Sequence, residues 1–148
     1  MGYPNPKDEI EILERQQLRH PIELLEAIIT VEELQQAMKE IRGIYVSKPI
    51  KRYLVDLVNS TRQSSDVYLG ASPRGSLALF RAGQAVAALA GRDFVLPDDI
   101  KSLAVQVLAH RVIVGPAARL RELSAEKIVE EVLENLPVPG GDYQAPGL

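Results

Sequence analysis

Arg74 is the residue whose type and position most directly suggest chemistry. It closes the segment Gly70-Ala71-Ser72-Pro73-Arg74, in which a serine suited to capping a helix precedes a proline, the residue favoured at the first helical position. Arg74 is therefore predicted to lie in the first turn of a helix, where the helix dipole disfavours a cation by about 0.3–1 kcal/mol. An anion facing the helix start would compensate for this unfavourable interaction, because a guanidinium can bind phosphate oxygens through two parallel hydrogen bonds.

Residues near Arg74, and one pair further away in the chain, extend this candidate nucleotide site. Gly75 is small and would let a ligand approach the backbone, and Ser72 caps the same helix end. Tyr45 and Val46 offer an apolar surface that an adenine ring would fit. Together with Arg74, these residues form the candidate nucleotide site.

Structural interpretations of the arginines stay open beside this one. Arg74 could instead pair with a carboxylate of a neighbouring helix. Arg81 lies two turns further along the same helix face, among apolar residues, and is interpreted as a structural ion pair. Arg92 follows the predicted end of that helix and is expected to satisfy its terminal carbonyl groups.

Other kinds of catalytic or metal site find little support in the sequence. The chain has no cysteine, which excludes disulfides and thiolate chemistry. His20 and His110 are far apart and neither belongs to a metal-ligand spacing, so we expect no metal site. There is no glycine-rich phosphate loop ending in Lys-Ser or Lys-Thr, and neither Ser72 nor Ser76 has a histidine or lysine base nearby in sequence. The chain alone is not expected to be a complete enzyme.

The composition is that of a folded protein without a membrane-spanning or nucleic-acid-binding character. Of the 148 residues, 46% are hydrophobic and 25% are charged, which is typical of a globular domain. A net charge of -3 and an aromatic content of 5% argue against binding to nucleic acid. No apolar run approaches the roughly 18 residues that a membrane span needs. The lack of cysteine and of a signal-peptide pattern favours the cytoplasm.

Capping residues and hydrophobic periodicity predict an all-α domain, a small bundle of five to six short helices. The predicted helices span about 6–18, 31–42, 48–60, 73–90, 97–108 and 125–136. Between them, a loop or short turn, a polar loop and a short strand are expected at 20–29, 61–66 and 111–114. In the first helix, Ile10, Leu13 and Leu18 are expected to point inward.

Taken as a whole, the chain resembles the C-terminal region of MoxR-type AAA+ ATPases, over nearly its full length and in the family's order. The segments that carry the resemblance are 70–79, 81–82, 91–95, 97–100, 45–47, 53–58, 110–111 and 2–6. The sequence departs from the family pattern at Gly75, where alanine is more common, and at Leu96, where a threonine cap is frequent. Gly75 is expected to weaken the start of its helix slightly.

The resemblance implies that residues 1–136 are the lid that follows the ATPase core and that 137–148 form a frayed tail. It implies that Arg74 is the sensor 2 arginine, a catalytic residue contacting the γ-phosphate of ATP. The helix at 31–42 is the candidate for the extra helix that precedes the lid in a related clade, where sensor 2 can serve a neighbouring subunit. Family members are hexameric, Mg-ATP-dependent, chaperone-like remodelling factors that often work with von Willebrand factor A-type proteins.

The resemblance also implies a longer parent protein, because the phosphate loop, the Mg-binding acids, sensor 1 and the arginine finger belong to the core. We expect ATP and Mg2+ in that parent and neither on this chain alone, which should not hydrolyse ATP. The expected partner is the core of its own or a neighbouring subunit in a homo-hexamer. The alternative is a helical protein- or nucleic-acid-interaction module without a nucleotide role, whose basic surface would comprise Arg81, Arg92, Lys101 and Arg111.

Overall fold

The computed structural model describes residues 3–17 and 19–139, and most of its regular elements are helices. The helices are α1 (Pro6–Gln16), α2 (Val31–Gly43), α3 (Lys48–Gln63), α4 (Pro73–Leu89), α5 (Pro97–Leu108), α6 (Pro116–Leu120) and α7 (Ala125–Asn135). Two short strands, β1 (Val67–Leu69) and β2 (Ile113–Val114), and two 3-10 turns, Pro21–Leu24 and Ala109–Arg111, complete the described elements. The prediction of a small, mostly helical bundle is confirmed, and α6 is a helix that the sequence patterns did not indicate.

The chain divides into two compact units, Met1–Gln36 and Ala37–Leu148. In the first unit, the Asn5 side chain caps α1 by accepting hydrogen bonds from two backbone N–H groups of the first turn, each at 3.0 Å. No described residue of α1 is buried, and Ile10 and Leu13 are 58% and 69% exposed. The expectation that these two point into a core is wrong, because helical periodicity identifies an apolar face without showing what covers it. Leu18 lies outside the described residues.

The N-terminus of α2 also follows the sequence signal. The Thr30 hydroxyl accepts from the Glu33 N–H at 3.1 Å, and the Glu33 carboxylate accepts from the Thr30 N–H at 2.7 Å. This reciprocal arrangement is a capping box. The hydrogen bonds from Thr30 lower the pKa of Glu33. The candidate helix at 31–42 is therefore present as α2 and extends one residue further, to Gly43.

The core of the second unit is formed by α3, α4, α5 and α7. Their most buried apolar side chains are Ile50, Tyr53, Leu54, Leu57, Val58, Leu79, Ala87, Ile100, Ala104, Leu108, Ile128 and Val129. Helices α3 and α5 supply most of this set. Helices α4 and α5 approach closely at Gly83, where an added Cβ would lie 2.5 Å from Cδ1 of Ile100.

The two strands form a small antiparallel sheet beside these helices. Val67 lies opposite Val114 and Leu69 opposite Ile113, with an irregularity between the two pairs. The strand predicted at 111–114 is thus present in its second half, whereas β1 was not predicted. Residues 137–139 have no regular secondary structure and 140–148 lie outside the described residues, so the domain limit at 136 and the frayed tail stay predictions.

Candidate functional site

The start of α4 has the geometry that its sequence predicts. Ser72 is the N-cap residue, its hydroxyl accepts from the Arg74 N–H at 3.3 Å, and Pro73 occupies the first helical position. The Arg74 side chain is exposed. In the part of the chain that the structure describes, no hydrogen bond or ion pair reaches its guanidinium. The alternative of an ion pair with a neighbouring helix therefore has no partner among these residues.

The residues just before α4 are fixed to the end of α3. Ala71 is fully buried, and its N–H donates to the Thr61 hydroxyl at 3.1 Å. Its carbonyl accepts from Nε of Arg62 at 2.7 Å. At Gly70, an added Cβ would lie 2.7 Å from the Cα of Arg62, so this close approach requires glycine. Helix α3 thus holds both backbone polar groups of Ala71, the residue that precedes the N-cap of the Arg74 helix.

This contact corrects the prediction of a polar loop at 61–66, because α3 continues through Gln63. Thr61 is fully buried, and its hydroxyl donates to the carbonyl of Val58 at 2.7 Å while accepting from Ala71. The local sequence suggests a loop here, because Thr61 is followed by polar residues and comes after the apolar stripe of α3. Its role becomes visible only when the chain returns ten residues later.

We expect Thr61→Val to lower the free energy of unfolding by about 1–3 kcal/mol, because the shape is kept while the buried Ala71 N–H loses its acceptor. The control Thr61→Ser keeps the hydroxyl and should cost about 1 kcal/mol for the lost methyl group. Urea unfolding of the 148-residue chain, followed by circular dichroism, measures both variants. A valine variant more stable than the serine variant would contradict the assigned role of the hydroxyl.

Gly75 is buried in α4, whereas the preceding Arg74 is exposed. An added Cβ at Gly75 would lie 3.1 Å from Cδ2 of Leu108 and 3.3 Å from the Cβ of Ala71. The small residue therefore allows α4 to pack closely on α5 and on the preceding loop. Direct contact of Gly75 or Ser72 with a ligand stays a prediction.

Tyr45 and Val46 lie between α2 and α3, and Tyr45 pairs with the segment that follows α4. Val46 is 4% exposed and packs in the core, whereas Tyr45 is 46% exposed. The Tyr45 N–H donates to the Asp93 carbonyl at 2.8 Å, and the Tyr45 carbonyl accepts from Val95 N–H at 3.0 Å. Asp93 follows the end of α4, whereas Arg74 lies in its first turn. The structure therefore separates this pair from Arg74 along the helix, and adenine contact stays a prediction.

Arg92 and Asp99 form a partly buried ion pair between the end of α4 and the start of α5. Two guanidinium nitrogens donate to the two carboxylate oxygens at 2.9 and 2.6 Å. One of them also donates to the carbonyl of Phe94 at 2.9 Å, and Leu96 N–H donates to Asp99 at 2.8 Å. Burial alone would raise the pKa of Asp99, but the hydrogen bonds from Arg92 and Leu96 and the positive charge of Arg92 outweigh it and hold the pKa below its usual value.

The arginines considered as structural or basic groups fall into two sets. Arg81 is exposed, and its interpretation as a structural ion pair finds no partner among the described residues. Arg92 binds Asp99 and Phe94, and a guanidinium nitrogen of Arg111 donates to the carbonyl of Val107. Two of the four cations of the hypothetical basic surface, Arg92 and Arg111, thus already donate hydrogen bonds within the chain.

Neither a metal centre nor a membrane span is found in residues 3–17 and 19–139. In those residues no three His, Asp or Glu side chains are grouped so as to hold a metal ion. None of their helices has the length and apolar character needed to cross a bilayer.

Comparisons with known proteins agree with this architecture. The sequence model of the AAA lid domain family matches residues 59–132. The uncharacterised protein YeaC of Bacillus subtilis is 43% identical over 139 residues, which cover 94% of this chain and 43% of YeaC. Chaperone MoxR1 of Mycobacterium tuberculosis is 30% identical, with 94% of this chain and 39% of MoxR1 covered. Protein MoxR of Paracoccus denitrificans is 32% identical, over 66% and 33% of the two chains.

A solved structure shares the fold. The crystal structure of an ATPase candidate from Cytophaga hutchinsonii superimposes with a TM-score of 0.81 and 27% identity, covering 95% of this chain and 45% of the other. Because the family model matches half of the sequence, the chain belongs to the AAA lid domain family. Its named relatives narrow the class to the MoxR type, so the described fold is that of a MoxR-type AAA+ lid. The chain spans only about two fifths of the length of these first relatives, 43% and 39%.

Proposed function

We propose that this lid works in a MoxR-type ATPase with Arg74 as its sensor 2 residue, donating hydrogen bonds to the γ-phosphate of ATP held by the nucleotide-binding core. The observation that carries the proposal is that the Arg74 side chain is exposed and has no hydrogen-bond partner among the described residues. The residue lies in the first turn of α4. An exposed arginine at a helix start is available for charge-assisted hydrogen bonds to an anion.

A phosphate fits this position on electrostatic grounds. The first turn of α4 carries no acidic residue, as in α3 and α6, whereas those of α1, α2, α5 and α7 each carry at least one. Backbone N–H groups at a helix start add positive partial charge. In the full-length protein, ATP with Mg2+ would supply the phosphoryl group that is transferred to water. This chain contributes positive charge toward that group, and the metal ligands belong to the core.

The lid would couple the state of the nucleotide to the rest of the assembly. Loss of the γ-phosphate contact on hydrolysis releases the lid to move relative to the core. We propose that this movement serves chaperone-like remodelling in a cytoplasmic homo-hexamer, in which Arg74 serves its own or a neighbouring core. The name of the relative chaperone MoxR1 supports the remodelling role. A von Willebrand factor A-type protein is the proposed partner.

Equilibrium binding tests the sensor role separately from turnover. In the full-length protein, Arg74→Ala should weaken ATP binding about tenfold while changing ADP binding little, because a hydrogen bond to a charged group contributes about 1.5–3 kcal/mol. Isothermal titration with ADP and with a slowly hydrolysed ATP analogue, each with Mg2+, measures the ratio of affinities. The control Arg119→Ala removes an exposed arginine of α6 and should leave the ratio unchanged. An unaltered preference for the ATP analogue in Arg74→Ala would exclude the sensor role.

A further inference from the structure

Gln84 is a buried amide in the middle of α4 whose hydrogen bonds leave its own helix. It is 3% exposed, and its side-chain NH2 group donates to the carbonyls of Arg42, at 3.2 Å, and Ile44, at 2.8 Å. Both acceptors lie where α2 ends, and they precede Gln84 by about forty residues. A buried amide is costly unless it is hydrogen-bonded, so these bonds hold the end of α2 against α4.

The same stretch of chain is held on its other side by backbone hydrogen bonds. The N–H of Tyr45 donates to Asp93, and its carbonyl accepts from Val95, as part of a parallel bridge between Tyr45 and Phe94. Residues 42–45 are therefore fixed between the interior of α4 and the segment that follows it. Displacement of α4 along or about its axis would have to displace these residues as well.

Close packing does not fill the space between the ends of α2 and α4. An open groove of about 530 Å³ lies there, lined from α2 by Ala37, Glu40 and Ile41 and from α4 by Ala85, Ala88 and Leu89. Where side chains leave such a gap, directional hydrogen bonds carry more of the mechanical link between two elements. Gln84 provides two of them from one side chain.

We propose that Gln84 is a positioning residue that couples the Arg74 helix to the end of α2. The inference rests on the proposed function of Arg74. Gln84 and Arg74 lie ten residues apart on one continuous helix, about 15 Å along its axis. A shift of α4 made on binding or losing the γ-phosphate is passed through the Gln84 amide to residues 42–45. The nucleotide state is thereby transmitted to α2, the helix that precedes the lid core.

The chemistry of the link is specific to glutamine. One amide nitrogen supplies two N–H donors, which matches two carbonyl acceptors. Methionine has a similar length and donates no hydrogen bond, so Gln84→Met removes the link while filling the space. Gln84→Asn keeps the amide on a side chain one methylene shorter and moves it out of reach of the carbonyls.

Hydrogen–deuterium exchange in the full-length protein tests the coupling, with and without a slowly hydrolysed ATP analogue and Mg2+. In the wild type, the analogue should slow exchange at 70–76 and also at 42–47, each about fivefold or more, as expected for coupled sites. In Gln84→Met, the slowing at 70–76 should persist while that at 42–47 is lost. The control Gln106→Met makes the same replacement at an exposed position of α5 and should behave as the wild type.

The outcomes separate this inference from the function on which it rests. Wild-type slowing at 70–76 without slowing at 42–47 would overturn the coupling and leave the sensor role intact. Slowing at neither segment would overturn both. Persistence of both effects in Gln84→Met would also overturn the coupling. If the methionine variant does not fold, Gln84→Asn takes its place, and the wild-type comparison alone remains able to refute the proposal.

Discussion

Replacing Arg74 by alanine is expected to lower ATP turnover by the full-length protein about a hundredfold, the loss typical when one donor to developing transition-state charge is removed. In the transition state the negative charge of the γ-phosphoryl group is spread over its three equatorial oxygens, and a guanidinium placed beside them stabilises that charge. Steady-state phosphate release under saturating ATP measures the effect. Turnover equal to that of the wild type would remove the basis for the sensor assignment.

Two controls separate chemistry from stability in this experiment. Arg74 is exposed and takes part in no ion pair with other described residues. The free energy of unfolding of the 148-residue chain, measured by thermal unfolding, should therefore differ between Arg74→Ala and the wild type by no more than about 0.5 kcal/mol. Arg74→Lys keeps the positive charge and loses the planar pair of donors. It should therefore recover only part of the lost turnover, whereas a purely long-range charge effect would be restored in full.

In the proposed homo-hexamer, mixed oligomers would decide which core Arg74 serves. Subunits carrying Arg74→Ala would be mixed with subunits in which the lysine of the core's phosphate loop is replaced, and each variant alone should have little activity. If Arg74 acts on the neighbouring subunit, some mixed interfaces combine an intact loop with an intact arginine, and turnover returns. If Arg74 acts within its own subunit, no mixture regains activity beyond the sum of its parts.

The elements that could be predicted from the sequence are those whose signals are local. Ser47 and Ser72 each accept from a backbone N–H two or three residues later, and each precedes a proline in the first helical turn. The apolar stripe of α3 repeats within single turns. Such signals fix where a helix begins and which face is apolar, so the position of Arg74 in the first turn of α4 followed from residues 70–74 alone.

The contacts that hold the candidate site in place could not be predicted in this way. The hydroxyl of Thr61 binds Ala71, ten residues away, and Gln84 binds Ile44, forty residues away. In sequence, Thr61 belongs to a polar stretch and Gln84 interrupts an apolar helix, so neither residue reveals its partner. The same limit explains Ile10, whose helical spacing is apolar and whose side chain remains 58% exposed.

The largest loss of stability is expected from Asp99→Ala, which should lower the free energy of unfolding of the 148-residue chain by about 3 kcal/mol. The value lies at the lower end for a buried ion pair, because the Arg92 side chain keeps 24% exposure and can be partly hydrated. The substitution also leaves the Leu96 N–H without its acceptor at the start of α5. The neighbouring Asp98 is exposed, and Asp98→Ala should cost less than about 1 kcal/mol for the lost interaction with the helix dipole. Equal losses in the two variants would refute the role given to the pair.

The pH dependence of this contribution follows from the direction of the pKa shift. The pKa of Asp99 is lowered in the folded chain, whereas the pKa of an aspartate in an unfolded chain is about 3.9. The folded state therefore binds fewer protons, and the stabilisation is fully present above the unfolded pKa and is lost as the pH falls through the folded pKa. Asp99→Asn keeps the size of the side chain without the charge, so its stability deficit relative to the wild type should be constant near neutral pH and shrink below about pH 4. Urea unfolding of both proteins at pH 7 and pH 3 measures the two deficits, and a deficit that persists unchanged at the lower pH would show that the charge of Asp99 contributes nothing.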